Sequence, residues 1–247
     1  MPPIDLTHIR VILLDIEGTT TPLDFVHRTL FGYARANLRP FLEANLSKPE
    51  VHRYVANLKV QHATDDKEKR MPPPWPTGSQ ESEITSAVEY GLWLMDRDSK
   101  AGALKALQGL MWQQGYRAGE LKGQVYADVP GALDRWCRKA KDVSIYSSGS
   151  ELAQQLLFST TAFGDLTRYI SAFFDTRVGA KTSGESYRQI ASRKGHREDE
   201  ILFLSDSLAE LDAARSATLR TALVARAAGH GSRQEGHSII SSFDELD

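Results

Sequence analysis

The 247-residue chain has a single cysteine, Cys137. That excludes an internal disulfide framework and any cysteine-rich zinc site. Its seven histidines are scattered without metal-ligand spacing, and no H-E-x-x-H occurs. A nucleotide-binding G-x-x-x-x-G-K-S/T loop, a G-x-G-x-x-G fingerprint and a G-x-S-x-G elbow are absent as well, so a nucleotide-dependent or zinc-dependent reading has little support. Charge of one sign is also lacking. Thirty Lys and Arg face 32 Asp and Glu, a net of −2, which provides no basic field for nucleic acid or an anionic membrane and points to a small-molecule partner. Apolar runs such as Val11-Ile12-Leu13-Leu14 are far too short to span a bilayer. The first residues show no basic-then-apolar leader pattern, and a cytoplasmic protein is expected. No heptad seam or long apolar patch is visible, so a monomer is expected. What is there is an ordinary globular composition, 41% hydrophobic and 25% charged, in a chain long enough to bury a core without staples.

Five short apolar stretches read as buried strands: Val11–Leu14, Val143–Tyr146, Ser171–Phe174, Ile201–Leu204 and Thr221–Val224. From residue 128 onward, helical patterns at about 131–140, 150–161, 184–194 and 208–217 separate them. Strands alternating with helices predict an α/β fold, a Rossmann-like parallel sheet with helices on both faces. The stretch from about 22 to 125 differs. Val51, Tyr54, Val55 and Leu58 keep helical spacing after Pro49, and Val88, Leu92 and Met95 do the same. Asp98 is expected to cap a further helix carrying Leu104, Leu107 and Met111. Residues 61–79, with a charged run and a proline run, are expected to form a loop. The predicted organisation is an α/β core of residues 1–21 and 128–247, interrupted directly after its first strand by an all-helical domain, 22–127.

Polar residues follow the strands at their carboxyl ends, where open α/β sheets bind ligands. Asp15-Ile16-Glu17-Gly18-Thr19-Thr20 closes the first strand. Two carboxylates this close repel one another, and a divalent cation would relieve the repulsion; alternatively Asp15 is a turn residue and Glu17 is solvated. Ser147-Ser148-Gly149-Ser150 offers hydroxyls and backbone N–H groups at a helix start, suited to a phosphate or simply to capping. Lys181 sits in a loop after the third strand. Ser205-Asp206-Ser207 ends the fourth, where Asp206 is either a helix cap or an oxygen ligand for Mg²⁺.

Taken in order, these positions resemble the haloacid dehalogenase superfamily of phosphohydrolases. Its first motif, Asp-x-Asp-x-Thr, is matched by Asp15-Ile16-Glu17-Gly18-Thr19 with glutamate at the second acidic position; Ser147, Lys181 and Asp206 match the remaining three, with Glu210 as an outer acidic candidate. Within the superfamily, Asp15-Ile16-Glu17-Gly18-Thr19-Thr20, Leu94-Met95-Asp96-Arg97-Asp98-Ser99-Lys100, Leu107-Gln108-Gly109-Leu110-Met111-Trp112, Tyr146-Ser147-Ser148-Gly149-Ser150 and Phe203-Leu204-Ser205-Asp206 resemble the enolase-phosphatase family of methionine salvage.

The resemblance implies a Mg²⁺-dependent enzyme, with one ion per chain. Asp15 is then the nucleophile, forming an aspartyl-phosphate. Lys181, Ser147 and Ser148 hold the phosphoryl group, and Lys181 also assists the transfer. The metal ligands are Asp15, Asp206 and the backbone carbonyl of Glu17. The Glu17 side chain is the candidate acid and base. The implied substrate is 2,3-diketo-5-methylthiopentyl-1-phosphate, enolised and then dephosphorylated to acireductone. The alternative is a Mg²⁺-dependent phosphatase of another small phosphomonoester.

Overall fold

The computed structural model describes residues 4–76, 78–226 and 236–246. Cα packing divides the chain into two compact units, residues 1–26 with 122–247, and residues 27–121.

The first unit is built on a six-stranded parallel sheet in the order β3-β2-β1-β4-β5-β6. Its strands are β1 (Val11–Leu14), β2 (Asp142–Tyr146), β3 (Ala172–Phe174), β4 (Ile201–Ser205), β5 (Arg220–Val224) and β6 (Ser238–Ile240). β1 is central. Leu14 pairs with Ile145 of β2 on one side and with Leu204 of β4 on the other. All four β1 residues are fully buried, which is why the run is apolar at every position rather than alternating. Val11 and Leu13 pack with Ile201 and Phe203 in one cluster, against Tyr187 and Ile190 of the helix Gly184–Lys194 and Leu211 and Ala214 of the helix Leu208–Ser216. The helices Val129–Arg138 and Glu151–Ser159 pack on β2 and β3. The five predicted strands are present. β6 is an addition: three residues at the sheet edge, opening on a serine, carry too little pattern to predict.

Among the described residues the second unit has four α-helices: α1 (Phe31–Asn45), α2 (Pro49–Lys67), α3 (Gln80–Met95) and α4 (Gly102–Arg117). Buried residues recur at helical spacing, Val51, Val55 and Leu58 on α2, and Leu104, Leu107 and Met111 on α4. α1 packs closely on α3 because Gly91 has no side chain: a Cβ there would fall 2.8 Å from Leu38 Cδ2.

Two local expectations fail. The loop predicted from residue 61 starts only after α2 ends at Lys67. Asp65, in the charged run, is buried and accepts a 2.6 Å hydrogen bond from Tyr90 Oη, so a long-range contact holds the extra turns in the helix. Asp98 does not cap α4. It sits at φ +47°, and Ala101 occupies the cap position. Among the described residues, no helix is long and apolar enough to cross a membrane.

Candidate active site

Asp15 is the first residue past β1, and its N–H still bonds to Leu204 O at 3.0 Å. The chain then turns sharply. The carbonyl of Ile16 accepts the N–H groups of Thr19, Thr20 and Thr21 at 3.2, 3.0 and 2.9 Å, and Gly18 N donates to Thr21 O at 2.8 Å. Gly18 lies at φ +68°, and a Cβ on it would fall 2.0 Å from Asp206 Oδ2. Glycine is therefore required twice over, by its backbone conformation and by the carboxylate lying against it. The Thr20 hydroxyl donates to Asp15 O at 3.1 Å, so the turn also grips the residue before it.

Around Asp15 the side chains from distant strands meet. Asp15 Oδ1 accepts from Lys181 Nζ at 2.6 Å and from Ile16 N at 2.7 Å. Lys181 Nζ is also 2.7 Å from Glu210 Oε2, and its side chain is only 10% exposed. Ser205 Oγ lies 2.9 Å from Asp15 Oδ2 and 3.2 Å from Glu210 Oε2; its one proton serves one of them at a time. Tyr146 Oη, Ser186 Oγ and Tyr187 Oη donate to the carbonyls of Gly179, Ala180 and Lys181 at 3.0, 2.7 and 2.7 Å. Three hydroxyls thus fix the loop that presents the lysine.

The electrostatics are unbalanced. Burial and the charges of Asp15 and Glu17 push Asp206 up to about 6 from its ordinary 3.8, against the pull of Lys181. Burial and Asp15 likewise raise Glu210 to about 7, although Lys181 and Ser205 bond to it. Burial lowers the Lys181 ammonium pKa, but Asp15 and Glu210 outweigh that and raise it to about 12, so it stays charged. One lysine thus serves several carboxylates in a site of low dielectric.

Asp15, Lys181 and Asp206 are therefore brought to one place, with Gly18 and the Glu17 turn against Asp206. Ser147 lies at the end of the adjacent strand, buried, with its N–H bonded to Phe174 O and its hydroxyl accepting from Gly149 N at 3.3 Å. Ser148 follows it, half-buried, and Ser150 caps the next helix, accepting from Ala153 N at 3.3 Å. Asp206 is not the cap of its helix; Ser207 takes that position. Sequence reasoning missed Ser205, although it adjoins Asp206, and gave Glu210 only an outer role. The available signal for Glu210 was its position one helical turn after Asp206.

A family model, haloacid dehalogenase-like hydrolase, matches residues 9–218. The chain is 43% identical over 239 residues to an enolase-phosphatase E1 of Synechococcus elongatus, covering 96% of this chain and 98% of the relative. It is 44% identical over 220 residues to an enolase-phosphatase E1 of Drosophila persimilis, covering 88% and 85%. The crystal structure of the UTR4 protein of Saccharomyces cerevisiae superposes with a TM-score of 0.75 at 30% identity, covering 96% of this chain and all of that one. The chain belongs to the enolase-phosphatase family of haloacid dehalogenase-like hydrolases.

Membership in the enolase-phosphatase family carries dependence on a divalent metal, and the residues fit one. Asp15 and Asp206 follow neighbouring strands, and their buried carboxylates repel one another, a repulsion that a cation between them would offset. The donors are hard oxygens, suited to a hard cation. Among the described residues no group of three or more His, Cys, Asp or Glu side chains is arranged to hold a metal.

Proposed function

We propose that this chain enolises 2,3-diketo-5-methylthiopentyl-1-phosphate and then hydrolyses its phosphate ester to release acireductone in methionine salvage. Residues 22–127 serve as the helical cap domain, and the enzyme works as a cytoplasmic monomer. The observation that carries the chemistry is Asp15 held between Lys181 Nζ at 2.6 Å and Ser205 Oγ at 2.9 Å, beside a carboxylate whose proton affinity is raised by burial and by its acidic neighbours.

Asp15, Asp206 and the Glu17 carbonyl would hold Mg²⁺, which when bound would offset the repulsion between the Asp15 carboxylate and a phosphate dianion. Asp15 attacks phosphorus, the bond from phosphorus to the substrate oxygen breaks, and Glu17 gives that oxygen a proton. Glu17 then takes a proton from water as the water attacks the acyl phosphate, which frees phosphate and restores Asp15. Lys181, with Ser147 and Ser148, holds the phosphoryl oxygens as charge moves onto them. Glu210 keeps Lys181 aimed at Asp15 from the other side.

The test is acireductone formation by purified protein with Mg²⁺, compared with release of phosphate from a panel of sugar phosphates. Formation of acireductone that chelator stops and Mg²⁺ restores is expected. Equal turnover of generic phosphomonoesters with none of the diketone would replace this reading by a phosphatase of another substrate.

A further inference from the structure

The turn that carries Asp15 and Glu17 is gripped from behind by a residue no motif includes. Arg226 directly follows Ala225, whose N–H bonds to Ile240 O at 2.8 Å, so its backbone is anchored to the β5–β6 edge of the sheet. Its side chain is only 10% exposed. Nε and Nη2 both donate to the carbonyl of Thr19, at 3.0 and 2.7 Å. Nη1 lies 2.6 Å from Asp128 Oδ2 and 3.4 Å from Ser241 O. Asp128 Oδ2 further accepts from Phe243 N at 2.6 Å and Ser242 Oγ at 3.0 Å. The guanidinium lies 4.4 Å from the Tyr126 ring and 4.5 Å from the Phe243 ring, an arrangement that suits a planar cation and no ammonium. Tyr126 N donates to Thr20 O at 3.0 Å, so the carbonyls of residues 19 and 20 are both held.

Two charged donors on one carbonyl fix the Thr19–Thr20 peptide plane. That plane sets Thr20, whose N–H bonds to Ile16 O and whose hydroxyl bonds to Asp15 O. The guanidinium therefore reaches the nucleophile's own backbone through one peptide and one side chain, without lying among the reacting groups.

We propose that Arg226, braced by Asp128, is a positioning residue that sets the turn bearing Asp15 and Glu17 for phosphoryl transfer. It acts on kcat, because it aims the reacting carboxylates and holds no substrate. This rests on the reading that Asp15 and Glu17 carry the chemistry.

The test measures kcat and KM for phosphate release in Arg226→Ala, Arg226→Lys and Asp128→Asn, with kcat expressed per folded molecule from circular dichroism and melting curves. Asp15→Asn is measured alongside. For Arg226→Ala the expected loss is ~10- to 100-fold in kcat with KM little changed, the size that a small misplacement of reacting groups produces. Guanidinium ion added to Arg226→Ala fills the slot between Tyr126 and Phe243 and raises kcat, which a loss of fold would not allow. Where Arg226→Ala does not fold, Arg226→Lys decides. Its single ammonium cannot span both Thr19 O and Asp128, so kcat falls although charge and stem remain. A folded Arg226→Ala or Arg226→Lys with parental kcat, or with its whole loss in KM, overturns the proposal if Asp15→Asn is inactive. An active Asp15→Asn overturns instead the chemical reading beneath it.

Discussion

Both units bury acidic side chains, but they treat them differently. In the helical unit, Asp65 is buried and satisfied: Tyr90 Oη donates at 2.6 Å, Gln61 Nε2 at 3.1 Å, and Arg70 Nη1 lies 3.5 Å away. Asn45 likewise donates to Phe41 O, and Ser86 to Ser82 O. These groups complete a helix bundle. In the α/β unit, Asp15, Asp206 and Glu210 gather around one ammonium, and Asp206 and Glu210 are both pushed up by burial and by the charge of Asp15. A buried charge that has its partners adds to structure. A cluster that keeps excess negative charge after folding is held in place by the fold and is available to a cation and a phosphate.

The sharpest way to break this contrast is Asp15→Asn. It keeps the shape and removes the nucleophile proposed above, so phosphate release should fall by at least about 10³-fold, read as steady-state turnover with the melting temperature as control. Chelation of divalent ions comes next: activity should vanish and return on adding Mg²⁺, and calorimetry should detect one ion bound per chain in the parent and a weakened one in Asp206→Asn. Lys181→Met should lower kcat by ~10²-fold, the loss expected from one missing charged donor to the transferring group. In the helical unit, Tyr90→Phe should act on stability alone, lowering it by about 1–3 kcal/mol because Asp65 loses its shortest donor; denaturant melts measure this, and a comparable loss of kcat in the folded variant would erase the distinction.

The smallest effect concerns acid stability. Burial pushes the Asp128 carboxyl up, but hydrogen bonds from Arg226, Phe243 N and Ser242 outweigh it and hold its pKa below 3.8. The folded state therefore binds this proton less readily than the unfolded chain. The stabilisation is present above 3.8 and is lost as pH falls through the lower folded value. Asp128→Asn should flatten the acid limb of a stability–pH curve relative to the parent; an unchanged limb would mean that the pair adds nothing to folding.

The sheet was legible because β1, β4 and most of β2 are apolar on both faces, a pattern that a parallel sheet under two helix layers demands. The charged run at 65–70 misled because local composition reads as solvated, while Asp65 answers to Tyr90, 25 residues on. Asp98 offered a capping side chain, but its left-handed backbone places it outside the helix start. At the site, the sequence offered Asp15, Ser147 and Asp206 just after strands and Lys181 in a loop, and the structure gathers Asp15, Lys181 and Asp206. The double grip on Lys181 by Asp15 and Glu210 was not, and nothing near Arg226 in the chain announces Thr19 or Asp128.

By itself the sequence determined where strands end and which polar side chains stand there, because burial periodicity and strand termination are local properties written in consecutive residues. Only the tertiary structure decided which of those side chains touch. Lys181 and Asp15 are 166 positions apart and meet at 2.6 Å. Their attraction, and the repulsion that raises Asp206, depend on distance and burial after the strands have been ordered, and no stretch of chain carries that information alone.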